Sequence, residues 1–144
     1  MYFDATWFNN FGQSEKFLIP SIIRQARLSD VIEVQDTKPS RDYVYVEDLL
    51  VALNCAITTD IELEVLNIGT GKSHSVLELI ETLGIVSNRK FVIHSAMIER
   101  QSEIMHTQAD NSRAREILNW EPEWSLKSGL KVLWNNDSVI NFES

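Results

Sequence analysis

Apolar residues along the chain recur first at short strand-like spacing and then at helical spacing. Tyr2, Phe3, Ala5, Trp7 and Phe8 form a dense aromatic run, which predicts a buried strand. Asn9-Asn10-Phe11-Gly12 breaks it, since Asn and Gly tolerate left-handed backbone. A helix is predicted from about Pro20, a residue suited to the first helical position, with Ile22, Ile23 and Ala26 on its apolar face and Asp30 at its end. Residues 31–34 predict a strand, 35–40 a polar loop and 43–46 an extended segment. Leu49, Ala52, Leu53, Ala56 and Ile57 then follow the i, i+3, i+4, i+7, i+8 series of one helix face, closed by Thr58-Thr59-Asp60. Residues 64–68 predict a further strand and Gly69-Thr70-Gly71 its turn.

Ser75 followed by Glu78 is a capping box. The helix it opens carries Val76, Leu79, Ile80 and Leu83 inward, with Gly84 as its stop. Residues 91–94 predict a strand, and 96–108 show no clean period and predict a loop or short strand. Asp110 or Asn111 caps a helix to Leu118, ended by Trp120-Glu121-Pro122 because proline cannot continue a helix. Ser125 opens a last helix with Leu126, Leu130, Leu133 and Trp134 inward, and residues 135–144 predict a loose tail. Strands alternating with helices predict an α/β class.

At 144 residues the chain is one domain or part of one. Its 44% apolar and 24% charged residues are those of a globular protein. A net charge of −8 excludes phosphate-backbone binding by a basic face, hence nucleic acid, but leaves room for an anionic ligand held by local cations. Cys55, the single cysteine, suits a reducing compartment and reads as a packed small residue. His74, His94 and His106 are not spaced as metal ligands. No apolar run approaches the ~20 residues of a membrane span, and residues 1–4 show no signal-peptide start. A soluble, cytoplasmic protein is expected.

The segments Arg41-Asp42-Tyr43-Val44-Tyr45-Val46-Glu47-Asp48, Asn67-Ile68-Gly69-Thr70-Gly71, Ser75-Val76-Leu77-Glu78-Leu79, Arg100 with Ser102-Glu103, Asp110-Asn111-Ser112 and Leu118-Asn119-Trp120-Glu121-Pro122 occur in a fixed order. With Asn9-Asn10-Phe11-Gly12 and Ile19-Pro20 before them, they resemble the C-terminal half of extended short-chain dehydrogenase/reductases, the NAD-dependent nucleotide-sugar epimerases and dehydratases. The similarity runs from about Trp7 to Trp134. No single segment is specific; their order and spacing are. Details around Asn9, residues 37–42 and Ser102-Glu103 resemble 4,6-dehydratases and 4-epimerases alike. The resemblance implies a substrate-binding lobe over residues 1–134 plus the last strands of an incomplete Rossmann-type parallel sheet.

A nucleotide-diphosphate sugar carries a doubly charged pyrophosphate, which the planar guanidinium fork suits. The resemblance implies that Arg41 and Arg100 grip that pyrophosphate, although Gln101-Ser102 stand where the family more often has Pro-Gly. It also implies that Glu103 accepts the ribose hydroxyl pair, as a carboxylate can, and that Asn9 bonds the substrate between pyrophosphate and sugar. Ile32 and Val34 match the strand behind the base, Leu18 and Val76 match other wall positions, and Phe8 matches a place beside the nicotinamide. Each has a plainer alternative. Arg41 could pair with Asp42 or Glu47, Arg100 and Glu103 could be solvated, Asn9 could shape its own turn, and the apolar residues could be core. Asp48 is expected to cap the following helix and tie a loop.

Hydride chemistry in the family uses a glycine-rich turn against the cofactor pyrophosphate and a tyrosine four residues before a lysine. Gly12, Gly69, Gly71, Gly84 and Gly129 never fall as G-x-x-G-x-x-G, and the residues four after Tyr2, Tyr43 and Tyr45 are Thr6, Glu47 and Leu49. The expectation is therefore a chain that binds no NAD or NADP and is inactive alone. It would be half of a split enzyme, part of a longer one, a truncated remnant, or a non-catalytic docking module. Unpaired apolar strands would favour a complementing N-terminal half or self-association.

Overall fold

The computed structural model describes residues 17–60, 64–96 and 104–136. Helix α1 (Leu18–Leu28) begins two residues ahead of Pro20, which sits in the first turn, where its missing N–H breaks no helical bond. It buries Ile19, Ile22, Ile23 and Ala26 against strand β1 (Val31–Val34). Two short strands follow in the chain: β2 (Ser40–Arg41) and, after helix α2 (Val46–Thr58), β3 (His74–Ser75). Helix α3 (Val76–Ser87), strand β4 (Val92–Ser95), α4 (Ser112–Leu118) and α5 (Leu126–Asn135) complete the described elements.

β1 and β4 pair in parallel with Val31 opposite Val92 and Val34 opposite Ser95. Parallel neighbours need a long crossover, and α2 and α3 lie within it. β2 and β3 pair antiparallel, Ser40 opposite Ser75 and Arg41 opposite His74. Ser40 also bridges His106 in parallel, so residues 105–107 line the other side of β2.

Several expectations shift. α2 starts at Val46, not Leu49, so Asp48 lies inside its first turn rather than ahead of it. Its Leu49, Ala52 and Ala56 are buried, but Ile57 is 82% exposed. Residues 64–68 bury Leu66 and Ile68 and expose Val65, the alternation of a strand, yet they join no ladder with another described segment. α3 runs through Gly84 to Ser87 and stops at Asn88, whose φ of 54° is left-handed. Gly84 serves packing instead, because a Cβ there would meet the Arg89 carbonyl at 3.0 Å. β4 begins one residue later than expected. Asn135 completes α5, and the carbonyl of Asn136 accepts from Arg27; residues 137–144 of the expected tail lie outside the described residues, as does the expected strand over residues 2–8.

Among the described residues two apolar cores result. The larger joins α1, β1, α3 and α5 with Tyr43 and Tyr45. The smaller joins α2, Leu66, Ile68, α4 and Trp120. Helix ends are tied explicitly. Ser75 and Glu78 form the reciprocal capping box, and Ser125 with Ser128 forms a second. Arg27 donates to the carbonyls of Leu133 (3.1 Å), Trp134 (2.7 Å) and Asn136 (2.9 Å), satisfying carbonyls that α5 leaves open at its end. Among the described residues no helix is long and apolar enough to cross a membrane.

Leu79 is fully buried in the larger core, so Leu79→Ala should cost about 2–5 kcal/mol; exposed Leu28 should tolerate alanine within about 0.5 kcal/mol, both read from urea midpoints. The Ser75 backbone N–H holds the Glu78 carboxyl below its ordinary range. A depressed carboxylate stabilises the fold above its ordinary value of 4.5 and loses that contribution as pH falls through the lowered one. Glu78→Gln should thus flatten the acid limb of a stability–pH curve below about pH 4.5.

Candidate functional site: the strand of Arg41 and its clamp

The site is organised by Asp42, which is 5% exposed. Its Oδ1 accepts from the Thr70 N–H (2.9 Å) and hydroxyl (2.5 Å). Its Oδ2 accepts from the Gly71 N–H (2.8 Å) and the Ala109 N–H (3.1 Å). A carboxylate offers about four acceptor sites, and four donors converge here. Asp42 therefore spends its lone pairs on two loops rather than on Arg41. Gly69 makes the fit possible, since a Cβ there would lie 2.5 Å from the Ala109 Cβ and 2.9 Å from Asp42 Oδ2. The Asn111 amide donates to the Gly69 carbonyl at 2.8 Å, so Asn111 spends its side chain on this loop, and the Ser112 N–H is met by Asp110 instead.

The clamp sets what surrounds Arg41. Ser40 N–H donates to the Met105 carbonyl (2.8 Å) and the Thr107 N–H to the Ser40 carbonyl (3.1 Å). On the other side, β3 places His74 opposite Arg41. Tyr43, two residues on, falls on Arg41's side of the chain. Its phenol is pushed up to about 12 by burial, and the Arg41 charge opposes that rise. His74 Nδ1 lies 3.9 Å from Glu78 Oε2. Below the clamp, a cleft of about 240 Å³ is lined by Asp42, Asn67, Gly69, Gln108 and Thr107 among others; the Thr107 Oγ1 is buried with no hydrogen-bond partner among the described residues.

Of the residues singled out from the sequence, Ile32 and Val76 lie in the larger core and Val34 packs against it. Ile32 is fully buried and Val76 nearly so, so both act first as packing. Leu18, at the start of α1, is 37% exposed. Backbone bonds from Val76 N–H to the Pro39 carbonyl and from Leu77 N–H to the Thr37 carbonyl fasten the start of α3 to the segment before Arg41. Phe8, Asn9, Arg100 and Glu103 lie outside the described residues. Tyr43 and His74 escaped the sequence reading; the two-residue alternation from Arg41 signals the first, while the second needed the β2–β3 register.

Asp48 ties a loop as expected. Its carboxylate accepts from the Glu123 N–H (2.9 Å) and Trp124 N–H (3.0 Å), and its carbonyl accepts from the Trp120 indole (3.0 Å). Burial raises its carboxyl above the ordinary range against the pull of those two amides.

Residues 4–133 match the family model described as GDP-mannose 4,6 dehydratase. The chain belongs to that family. Its place among the extended short-chain dehydrogenase/reductases, the NAD-dependent nucleotide-sugar epimerases and dehydratases, agrees with the motif order. A UDP-glucuronate 4-epimerase from Thermodesulfobacterium geofontis is 31% identical over 72% of this chain and 32% of its own length. The structure of RMD from Pseudomonas aeruginosa complexed with NADPH superposes with a TM-score of 0.77 at 28% identity, over 85% of this chain and 42% of that one. UDP-glucuronic acid 4-epimerase from Bacillus cereus, in complex with UDP-glucuronic acid and NAD, gives a TM-score of 0.75 at 27% identity, over 85% and 40%. The chain thus spans well under half the length of these family members.

The glycine turn at Gly69-Thr70-Gly71 does not offer free amides to a phosphate group. A cofactor pyrophosphate needs free backbone amides at a glycine turn. In this chain the amides of Thr70 and Gly71 already serve Asp42.

Asp42→Asn would turn an amide NH₂ toward backbone N–H groups and leave buried donors unmet. A loss of about 3 kcal/mol is expected, while Asp36→Asn, whose asparagine can still accept from the Lys38 N–H, should change the urea midpoint little.

Proposed function

We propose that residues 1–134 form the nucleotide-sugar-binding portion of an NAD-dependent nucleotide-sugar 4-epimerase or 4,6-dehydratase, and that the chain alone turns nothing over. The observation that carries this is the pairing of Ser40 with residues 105–107. It sets Met105, two residues after Glu103 and five after Arg100 in the sequence, against the residue just before Arg41. Five residues of fully extended chain reach at most about 18 Å, so the pairing favours a shared grip by Arg41, Arg100 and Glu103 on one ligand. Asn9, Leu18, Ile32, Val34 and Val76 would wall the nucleotide, and Phe8 would face a cofactor held mainly by other residues. The partner in chemistry would be a dinucleotide-binding half that carries the tyrosine–lysine pair. A second reading, a non-catalytic nucleotide-sugar-binding module, is favoured by one fact: no tyrosine of this sequence has a lysine four residues on.

Calorimetry with UDP-, dTDP-, CDP- and GDP-sugars tests both. At least one should bind, and Arg41→Ala should weaken it about 10- to 100-fold, the worth of a charge-assisted bond. The chain mixed with that sugar and NAD should give no turnover above background. Turnover would remove the claim of inactivity, and silence across all four nucleotides would remove the claim of binding.

A further inference from the structure

The β2–β3 register places His74 directly opposite Arg41. Opposite residues of an antiparallel pair project to the same face with Cβ atoms about 4.5–5.5 Å apart. One face of this small layer thus carries a permanent cation and a group whose charge changes within the physiological range. We propose that His74 is a further, proton-dependent cation beside Arg41 for the ligand's diphosphate, so that this chain grips its nucleotide-sugar more tightly at mildly acidic pH. This rests on the nucleotide-sugar reading above and adds to it a residue that none of the motifs contains.

The surroundings suit the role. Glu78, in the first turn of α3, lies 3.9 Å from His74 Nδ1. It is itself held by the Ser75 N–H at 2.7 Å and the Ser75 hydroxyl at 3.2 Å, so its carboxylate is fixed rather than swinging. An imidazole presents its two nitrogens in different directions. With Nδ1 turned to Glu78, Nε2 is the atom left for a ligand. Across the strand pair lies the permanent charge of Arg41. A doubly negative diphosphate set beside the two residues would be met by Arg41 and, when protonated, by the imidazole. If the imidazole meets the diphosphate as a cation, binding is linked to proton uptake, and acid strengthens it.

Nothing else obvious on the ligand titrates in the same window. The diphosphate diester of UDP-glucose or GDP-mannose stays doubly ionised from pH 5.5 to 8, so a pH effect there reports the protein. The Thr70 and Gly71 amides do not supply the missing charge either, because they are committed to Asp42.

The test is calorimetry of the full chain with UDP-glucose and GDP-mannose at pH 5.5, 6.5 and 8, in buffers of differing ionisation enthalpy. Affinity should fall about 5- to 10-fold from pH 5.5 to 8, a span set by one charge-assisted contact, with up to one proton taken up per ligand near pH 6.5. His74→Gln should bind as weakly at pH 5.5 as the parent does at pH 8 and take up no proton. His74→Arg should bind tightly at every pH, and His106→Gln should keep the parent's profile. Circular dichroism and urea midpoints confirm that each variant is folded. A pH-independent parent, or a His74→Gln protein that keeps the pH dependence, overturns the role of His74 while leaving the nucleotide-sugar reading standing. A parent that binds neither these two nor the dTDP- and CDP-sugars overturns both.

Discussion

One buried carboxylate decides the local architecture. Taking an ionised aspartate out of water costs several kcal/mol, and Asp42 recovers this only because four donors from two distant loops meet it. Those donors belong to residues 28, 29 and 67 positions away in the chain. The carboxylate therefore acts as a long-range staple. With it in place, the turn at Gly69-Thr70-Gly71 and the segment around Ala109 are brought against β2, and the neighbouring residue Arg41 has a fixed strand under it. Without it, the two amide-bearing loops would each carry unmet buried donors, the costlier half of the exchange.

A second staple joins the two cores. Asp48 takes the backbone amides of Glu123 and Trp124, and Tyr45 stacks on Trp124 with ring centroids 4.2 Å apart. Trp120 belongs to the smaller core and Trp124 packs against the larger one. The stretch between them thus spans both, held to the start of α2. Both staples come from the same eight-residue segment, Arg41 to Asp48. That is why one strand-to-helix stretch can hold a lobe whose described strands are only two to four residues long.

What the sequence disclosed follows from local physics. The helical stripes around Ile22, Leu79 and Leu130 were legible because burial repeats with the helix period, and the Ser75–Glu78 box because both halves lie within four residues. Gly84 misled, because a glycine needed for close approach to the Arg89 carbonyl looks the same in sequence as a glycine needed for a left-handed stop, a role that falls to Asn88. The start of α4 divides the two residues expected to cap it: Asn111 takes the N-cap position while its amide serves the distant Gly69 carbonyl, and the Asp110 carboxylate meets the Ser112 N–H. The strand pattern of residues 64–68 was right in its alternation of buried and exposed side chains but does not carry pairing, which depends on what lies alongside. The Arg41–His74 juxtaposition was not legible, because register between segments more than thirty residues apart is written in no local pattern. Arg41 and Asp42 were legible as a motif, yet the split of labour between them was not: the acid staples two distant loops, while Arg41 ends β2 opposite His74.

That split bears on how the lobe can meet a diphosphate. A glycine turn with two outward amides is, in isolation, a nest for an anion, and Gly69-Thr70-Gly71 has that form. Here the nest holds an internal anion, so its electrostatic benefit goes to folding. On the proposed reading, a diphosphate is met instead by side-chain cations beside β2, and those differ from backbone amides in two ways. They are removed one at a time by substitution, and one of them, an imidazole backed by Glu78, can lose its charge. On that reading, a lobe whose turn amides are already spent on its own structure would couple ligand affinity to proton concentration, where a phosphate nest of amides would not.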